Sequence, residues 1–110
     1  MNKNDIVKTI NEVKTNNHIK WSVLENTDTK IVLTNDYDKC INFSIEVRHR
    51  EIEWGDTTKV EEWIAVKDNH MGSNIALLLQ GDTRWDDYKE TTQGIIMGIR
   101  YAVQHFEYMY

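Results

Sequence analysis

With 110 residues, 40% of them hydrophobic and 28% charged, the chain has the composition of one ordinary globular domain (1–110) and not of a disordered one. No apolar run approaches the roughly 20 residues needed to span a bilayer, and the start Met1-Asn2-Lys3-Asn4-Asp5 leads into an amphipathic pattern and not a secretory signal. The net charge of -5 arises wholly in residues 41–110, where seven Lys/Arg meet twelve Asp/Glu; residues 1–40 carry six of each, so a nucleic-acid ligand, which wants clustered cations, is disfavoured.

In chain order, Asp5–Thr15 reads as a helix with Asn4 as its N-cap and Ile6, Ile10 and Val13 on one face. Ile19, Trp21 and Val23 alternate with polar residues as in a half-buried strand, Glu25–Asp28 forms a turn, and Ile31–Thr34 is a second strand. The clearest strand follows, with Ile41, Phe43, Ile45 and Val47 pointing one way and Asn42, Ser44, Glu46 and Arg48 the other. After Val47 the phase breaks, because His49, Glu51 and Glu53 take the formerly apolar positions. Either the strand outruns the core or a bulge re-aims it.

Trp54-Gly55-Asp56-Thr57 signals a turn and Val60–Val66 a fourth strand, so 41–66 is expected to be one long hairpin. Asp68–Ser73 is a loop, and Ile75–Gln80 is too short a run for periodicity to separate helix from strand. The last 28 or so residues read as a helix starting near a cap at Asp82 or Thr83. Its core stripe runs through Trp85, Tyr88, Thr92, Ile95, Ile96, Ile99, Val103, Phe106 and Tyr110. The expected architecture is α+β: an N-terminal helix, a three- to four-stranded antiparallel sheet and a long C-terminal helix packed on one sheet face.

Gly94, Gly98, Tyr101, His105 and Tyr108 fall on roughly the opposite side of that helix at about 100° per residue. Each glycine costs about 1 kcal/mol against alanine in a helix, so the pair asks for a reason. Close intramolecular packing is one, and an interface for a partner or a second copy is the other.

Catalytic patterns are weak. Cys40 stands alone, which excludes an internal disulfide and fits a buried or semi-buried thiol in a reducing cytosol, so a cytoplasmic location is expected. Ser44 has no nearby base and Ser73 only His70. His49, Glu51 and Glu53 share a strand face as a metal trio does, but alternation produces such trios on any exposed strand. We expect no enzyme activity, no cofactor, no metal and no membrane partner. The hairpin tip is acidic and aromatic at once, carrying Glu51, Glu53, Trp54, Asp56, Glu61, Glu62 and Trp63, with Asp86 and Asp87 further along. Such a surface suits a basic protein groove, where carboxylates meet arginines and indoles bury area, unless Trp54 and Trp63 simply pair across the hairpin.

In element order and charge the chain resembles the small acidic phage-encoded inhibitors of bacterial defence, anti-CRISPR proteins among them, although no motif of theirs is matched. The resemblance implies a non-enzymatic protein that inhibits a larger, nucleic-acid-handling partner through an acidic-aromatic surface. The alternative expectation is a homodimeric structural or small-ligand-binding domain joined through the Gly94/Gly98 face. The double-stranded RNA-binding domain has a similar element order, but Asp82, Asp86 and Asp87 stand where it needs positive charge.

Overall fold

The computed structural model describes residues 1–82 and 88–110, with side chains described throughout these except at 59, 77–82 and 88–92. The protein is α+β: helix α1 (Lys3–Val13), five strands β1 (Trp21–Asn26), β2 (Lys30–Asn35), β3 (Phe43–Trp54), β4 (Thr57–Asp68) and β5 (Ser73–Asp82), then helix α2 (Tyr88–Met109). The strands form one antiparallel meander in the order β1-β2-β3-β4-β5.

Helix α1 begins and ends two residues earlier than its apolar spacing suggests. Asn2, not Asn4, is the N-cap, its side chain accepting from the Asp5 amide at 2.9 Å. The helix stops at Val13 because the Thr15 and Asn16 amides, which a longer helix would turn back on itself, donate instead to the Glu107 carboxylate at 2.9 and 3.1 Å.

Alternation in β1 to β4 sends one row of each strand towards the helices. Leu33 pairs with Phe43, Ile31 with Ile45, and Ile45 in turn with Val66, so neighbouring strands present Leu33, Ile31, Phe43, Ile45, Val66 and Ile64 on one face. Ile6 and Ile10 of α1 and Ile99, Ala102, Val103 and Phe106 of α2 close over them. Each such side chain contributes about 1.5–3 kcal/mol on burial, which makes this layer the main stabilising term.

Ile75–Gln80 lies within strand β5, and this fifth strand extends the predicted sheet. The phase break after Val47 has the first of its two explanations. The β3–β4 register runs without a shift from Phe43↔Asp68 to Trp54↔Thr57, so the strand continues past the core with no bulge. Gly55, with φ +62°, takes the first of the two loop positions, where a mirror-image turn requires the left-handed region.

Cys40 is exposed, contrary to the buried or semi-buried thiol expected. It lies in the β2–β3 connection, where its amide donates to Asp38 Oδ1 at 2.9 Å and its neighbour Ile41, instead, enters the core.

Candidate functional site

Beyond Val47, β3 and β4 form an arm of roughly 20 Å, six or seven residues at about 3.3 Å each, flanked by β5 as far as Glu61 and two-stranded from there to the turn. The protein's longest dimension is 54 Å. The arm's two faces differ in charge. On the face opposite the helices, Arg50 donates through Nε and Nη2 to Glu61 Oε2 at 3.0 and 2.9 Å, and Arg48 lies 3.5 Å from Glu46. Those charges cancel in pairs. On the other face His49, Glu51 and Glu53 follow one another at steps of about 6.6 Å, with Glu62 directly across from His49. No ion pair among the described residues engages Glu51, Glu53 or Glu62. Among the described residues the negative charge of the arm is thus concentrated on one face and at the turn, where Asp56 is exposed.

The structure brings together Glu51, Glu53 and Glu62, and places Trp54 at the arm's end with 77% of its surface exposed. It separates the two tryptophans. Trp54 pairs with Thr57 and Trp63 with Arg48, six strand positions or about 20 Å apart, so no indole pair staples the hairpin. Glu61 and Trp63 lie on the charge-balanced face, half-buried. Asp86 and Asp87, with Trp85 and the Thr83 cap, lie outside the described residues. Among the described residues no group of three or more His, Cys, Asp or Glu side chains is placed to hold a metal ion, so His49, Glu51 and Glu53 do not converge on one.

The helix residues divide differently from the two opposite faces expected. Gly98 is buried against the sheet: a Cβ there would stand 2.7 Å from Ile45 Cγ2, 3.3 Å from Val66 Cγ2 and 3.4 Å from Ile64 Cγ2. Its reason is close intramolecular packing. His105 also turns inward, its ring edge-on to Phe43 at 5.9 Å. Gly94 is half-buried, while Tyr101 is 39% and Tyr108 88% exposed.

Comparison with known protein families, characterised proteins and solved structures finds no match for this chain. Its function must therefore be argued from these residues. No helix among the described residues is long and apolar enough to cross a membrane.

A second polar centre was not legible in the sequence. Asp68, at the end of β4, is fully buried. Its Oδ1 accepts from the His70 and Met71 amides at 2.9 and 3.1 Å, and its Oδ2 from the Tyr110 hydroxyl at 2.8 Å, with His105 Nε2 at 3.3 Å. Burial pushes this carboxyl up, but donation from Tyr110, the two amides and His105 outweighs it and holds the pKa below the ordinary value. Tyr110 shows the reverse: burial, its donation to Asp68 and the Asp68 charge push its phenol up to about 12. Asp68 stood in the sequence as a turn residue, and no spacing links it to partners 37 and 42 positions away.

The Tyr110 shift carries a pH prediction. Its folded pKa lies above the ordinary 10.0, so its contribution to stability is fully present below pH 10 and is lost as pH rises towards about 12. Urea unfolding followed across that interval should show falling stability for the wild type and a smaller fall for Tyr110→Phe. Parallel curves would refute the assignment.

Proposed function

We propose that the chain is a non-enzymatic binding protein that inhibits a larger nucleic-acid-handling protein, of the phage-encoded anti-defence kind it resembles in element order and charge. One observation carries the reading: the unbroken β3–β4 register takes Glu51 and Glu53 beyond the core, with Glu62 on the same acidic face and exposed Trp54 at the arm's end on the opposite face. Carboxylates repeated along a rigid strand stand in for backbone phosphates. The exposed indole at the arm's end, on the other face of the same strand, supplies the apolar anchor that interfaces concentrate. A basic cleft that accepts a nucleic-acid strand matches both features, and the acidic excess of residues 41–110 steers the encounter.

The test is retention of host proteins on the immobilised chain, wild type against Glu51→Lys/Glu53→Lys. A nucleic-acid-binding protein should be retained by the wild type, released by rising salt, and held about tenfold or more weakly by the variant. Retention indifferent to both salt and charge reversal removes the arm as the docking surface.

A second reading, a homodimer through α2, is favoured by a separate observation. Met97, Tyr101 and Tyr108 form an exposed row along the helix, although Gly98 and His105 are already engaged within the chain. Sedimentation at rising concentration separates the two readings, since only the second expects a mass twice that of the chain.

A further inference from the structure

At the far end of the molecule from the arm, the last turn of α2 and the α1–β1 connection enclose a half-open cavity of about 270 Å³. Its walls are of two kinds. Tyr37 and Tyr110 supply the aromatic surface and both rest on Phe106, itself only 1% exposed: the Tyr37 and Phe106 rings meet at 77° with centroids 6.3 Å apart, and Tyr110 lies near-parallel to Phe106 at 26° and 5.6 Å. The two tyrosine ring planes are therefore inclined to each other by at least about 50° (77° less 26°) and line one corner. The other wall holds Thr15, Asn16 and the Glu107 carboxylate.

That carboxylate is fixed and ionised. Its two oxygens accept from the Thr15 and Asn16 amides at 2.9 and 3.1 Å and from the Thr15 hydroxyl. Burial works against the charge, but these donors and the nearby Lys14 outweigh it and hold its pKa below the ordinary value. All its donors are neutral, so no cation in contact with it among the described residues cancels its charge. The one ammonium close by belongs to Lys14, which rests at the rim with its Nζ 3.5 Å from the Ile19 carbonyl.

We propose that this cavity is a binding site for a single organic cation, an alkylammonium or guanidinium group. Electron-rich tyrosine faces inclined to one another, with a carboxylate opposite, attract such a group, whereas a neutral or anionic group of the same shape gains only contact area there or is repelled. The volume suits one such headgroup and not a large ligand. The site stands apart from the acidic arm and does not depend on the inhibitor reading: the arm can fail as a docking surface with this cavity intact, and the reverse.

The experiment titrates the full chain with choline and with 3,3-dimethylbutan-1-ol, its neutral isostere, at constant ionic strength, following the aromatic proton and carbon signals of Tyr37, Phe106 and Tyr110. Choline should produce saturable shifts at the Tyr37 and Tyr110 rings, with the neutral isostere about tenfold weaker or without effect. Tyr37→Ala and Glu107→Gln should each weaken choline several-fold, and Tyr37→Phe should retain it. Tyr37 is 67% exposed, so its replacement is expected to cost little stability, which thermal unfolding of the variant checks. Lys14→Gln, by removing the resident positive charge, should strengthen binding. N-acetyl-arginine amide in place of choline distinguishes the source: tighter binding of the arginine probe assigns the site to a partner protein's side chain, and tighter binding of choline to a free small cation. Equal binding of choline and its isostere, shifts reproduced by sodium chloride alone, or choline affinity unchanged in both Tyr37→Ala and Glu107→Gln would overturn the proposal.

Discussion

Asp68→Ala is expected to cost about 3 kcal/mol of folding stability, the typical scale for losing a charged acceptor that leaves buried partners unpaired. Four donors converge on that carboxylate, two from the β4–β5 turn and two from the end of α2. Its removal loosens the turn and unpins the helix end together. Thermal unfolding should fall by roughly 12 °C, at about 4 °C per kcal/mol for a domain of this size. Asp68→Asn should cost less, since its carbonyl oxygen can still accept from the His70 and Met71 amides and its NH2 can donate to the Tyr110 hydroxyl oxygen, a neutral bond in place of a charge-assisted one. The sign of the pH dependence follows from the depressed pKa. The wild type's contribution from Asp68 is present above the ordinary 3.8 and is lost as pH falls through the lower folded value. Asp68→Asn should therefore unfold less steeply on acidification than the wild type, and equal acid sensitivity of the two proteins would count against the hub.

Gly98→Leu is expected to be comparably damaging, and Gly98→Ala milder, for a reason that magnitudes decide. Alanine gains about 1 kcal/mol of helix propensity over glycine. Against that, its Cβ would stand 2.7 Å from Ile45 Cγ2, closer than real methyl contacts allow, and overpacking of a buried site costs about 1–3 kcal/mol. Ile45 is 1% exposed, and its Cγ2 sits on a β-branched stem with little freedom to turn away. The clash wins, with a net loss of about 1 kcal/mol for alanine and about 3 kcal/mol for leucine. A double-mutant cycle isolates the cause: Ile45→Leu moves the branch away from the backbone at nearly constant volume. Gly98→Ala should then cost about 1 kcal/mol less in the Ile45→Leu background than in the wild type. Strict additivity would show that the glycine is not there for Ile45. The same geometry makes Gly98→Leu an unsuitable probe of self-association, because the residue faces the sheet.

The elements whose signal is local were legible. Alternation from Ile41 to Val47 marked β3 and its inward face, and the Trp54–Thr57 turn marked the hairpin, because side-chain direction in a strand has period two whatever it packs on. Ile75–Leu79 carries no such period. Only its pairing with β4, from Trp63↔Leu79 to Val66↔Ala76, makes it a strand. On α2 the three- and four-residue spacing located the stripe but underestimated its width. The helix lies against both the sheet and α1, so the buried arc extends past Ala102 to Gly98 and His105. Of the two reasons the spacing left open for that face, close packing within the chain is the one that holds for Gly98, and His105 turns inward with it.

The candidate sites divide in the same way. The acidic and aromatic content of the arm was visible in composition, but which charges face one another across the strands was not. That depends on register, which sets Arg50 opposite Glu61 and His49 opposite Glu62. By itself, then, the sequence determined the α+β class, the hairpin and the acidic character of residues 41–110, since these rest on periodicity and charge within short windows. Only the tertiary structure decided that Gly98 is a packing contact, that Asp68 is a buried hub, and that Tyr37, Phe106, Tyr110 and Glu107 wall one cavity. Their partners lie tens of residues away in the chain, and distances of that kind are set by the folded sheet and helices, not by any local pattern.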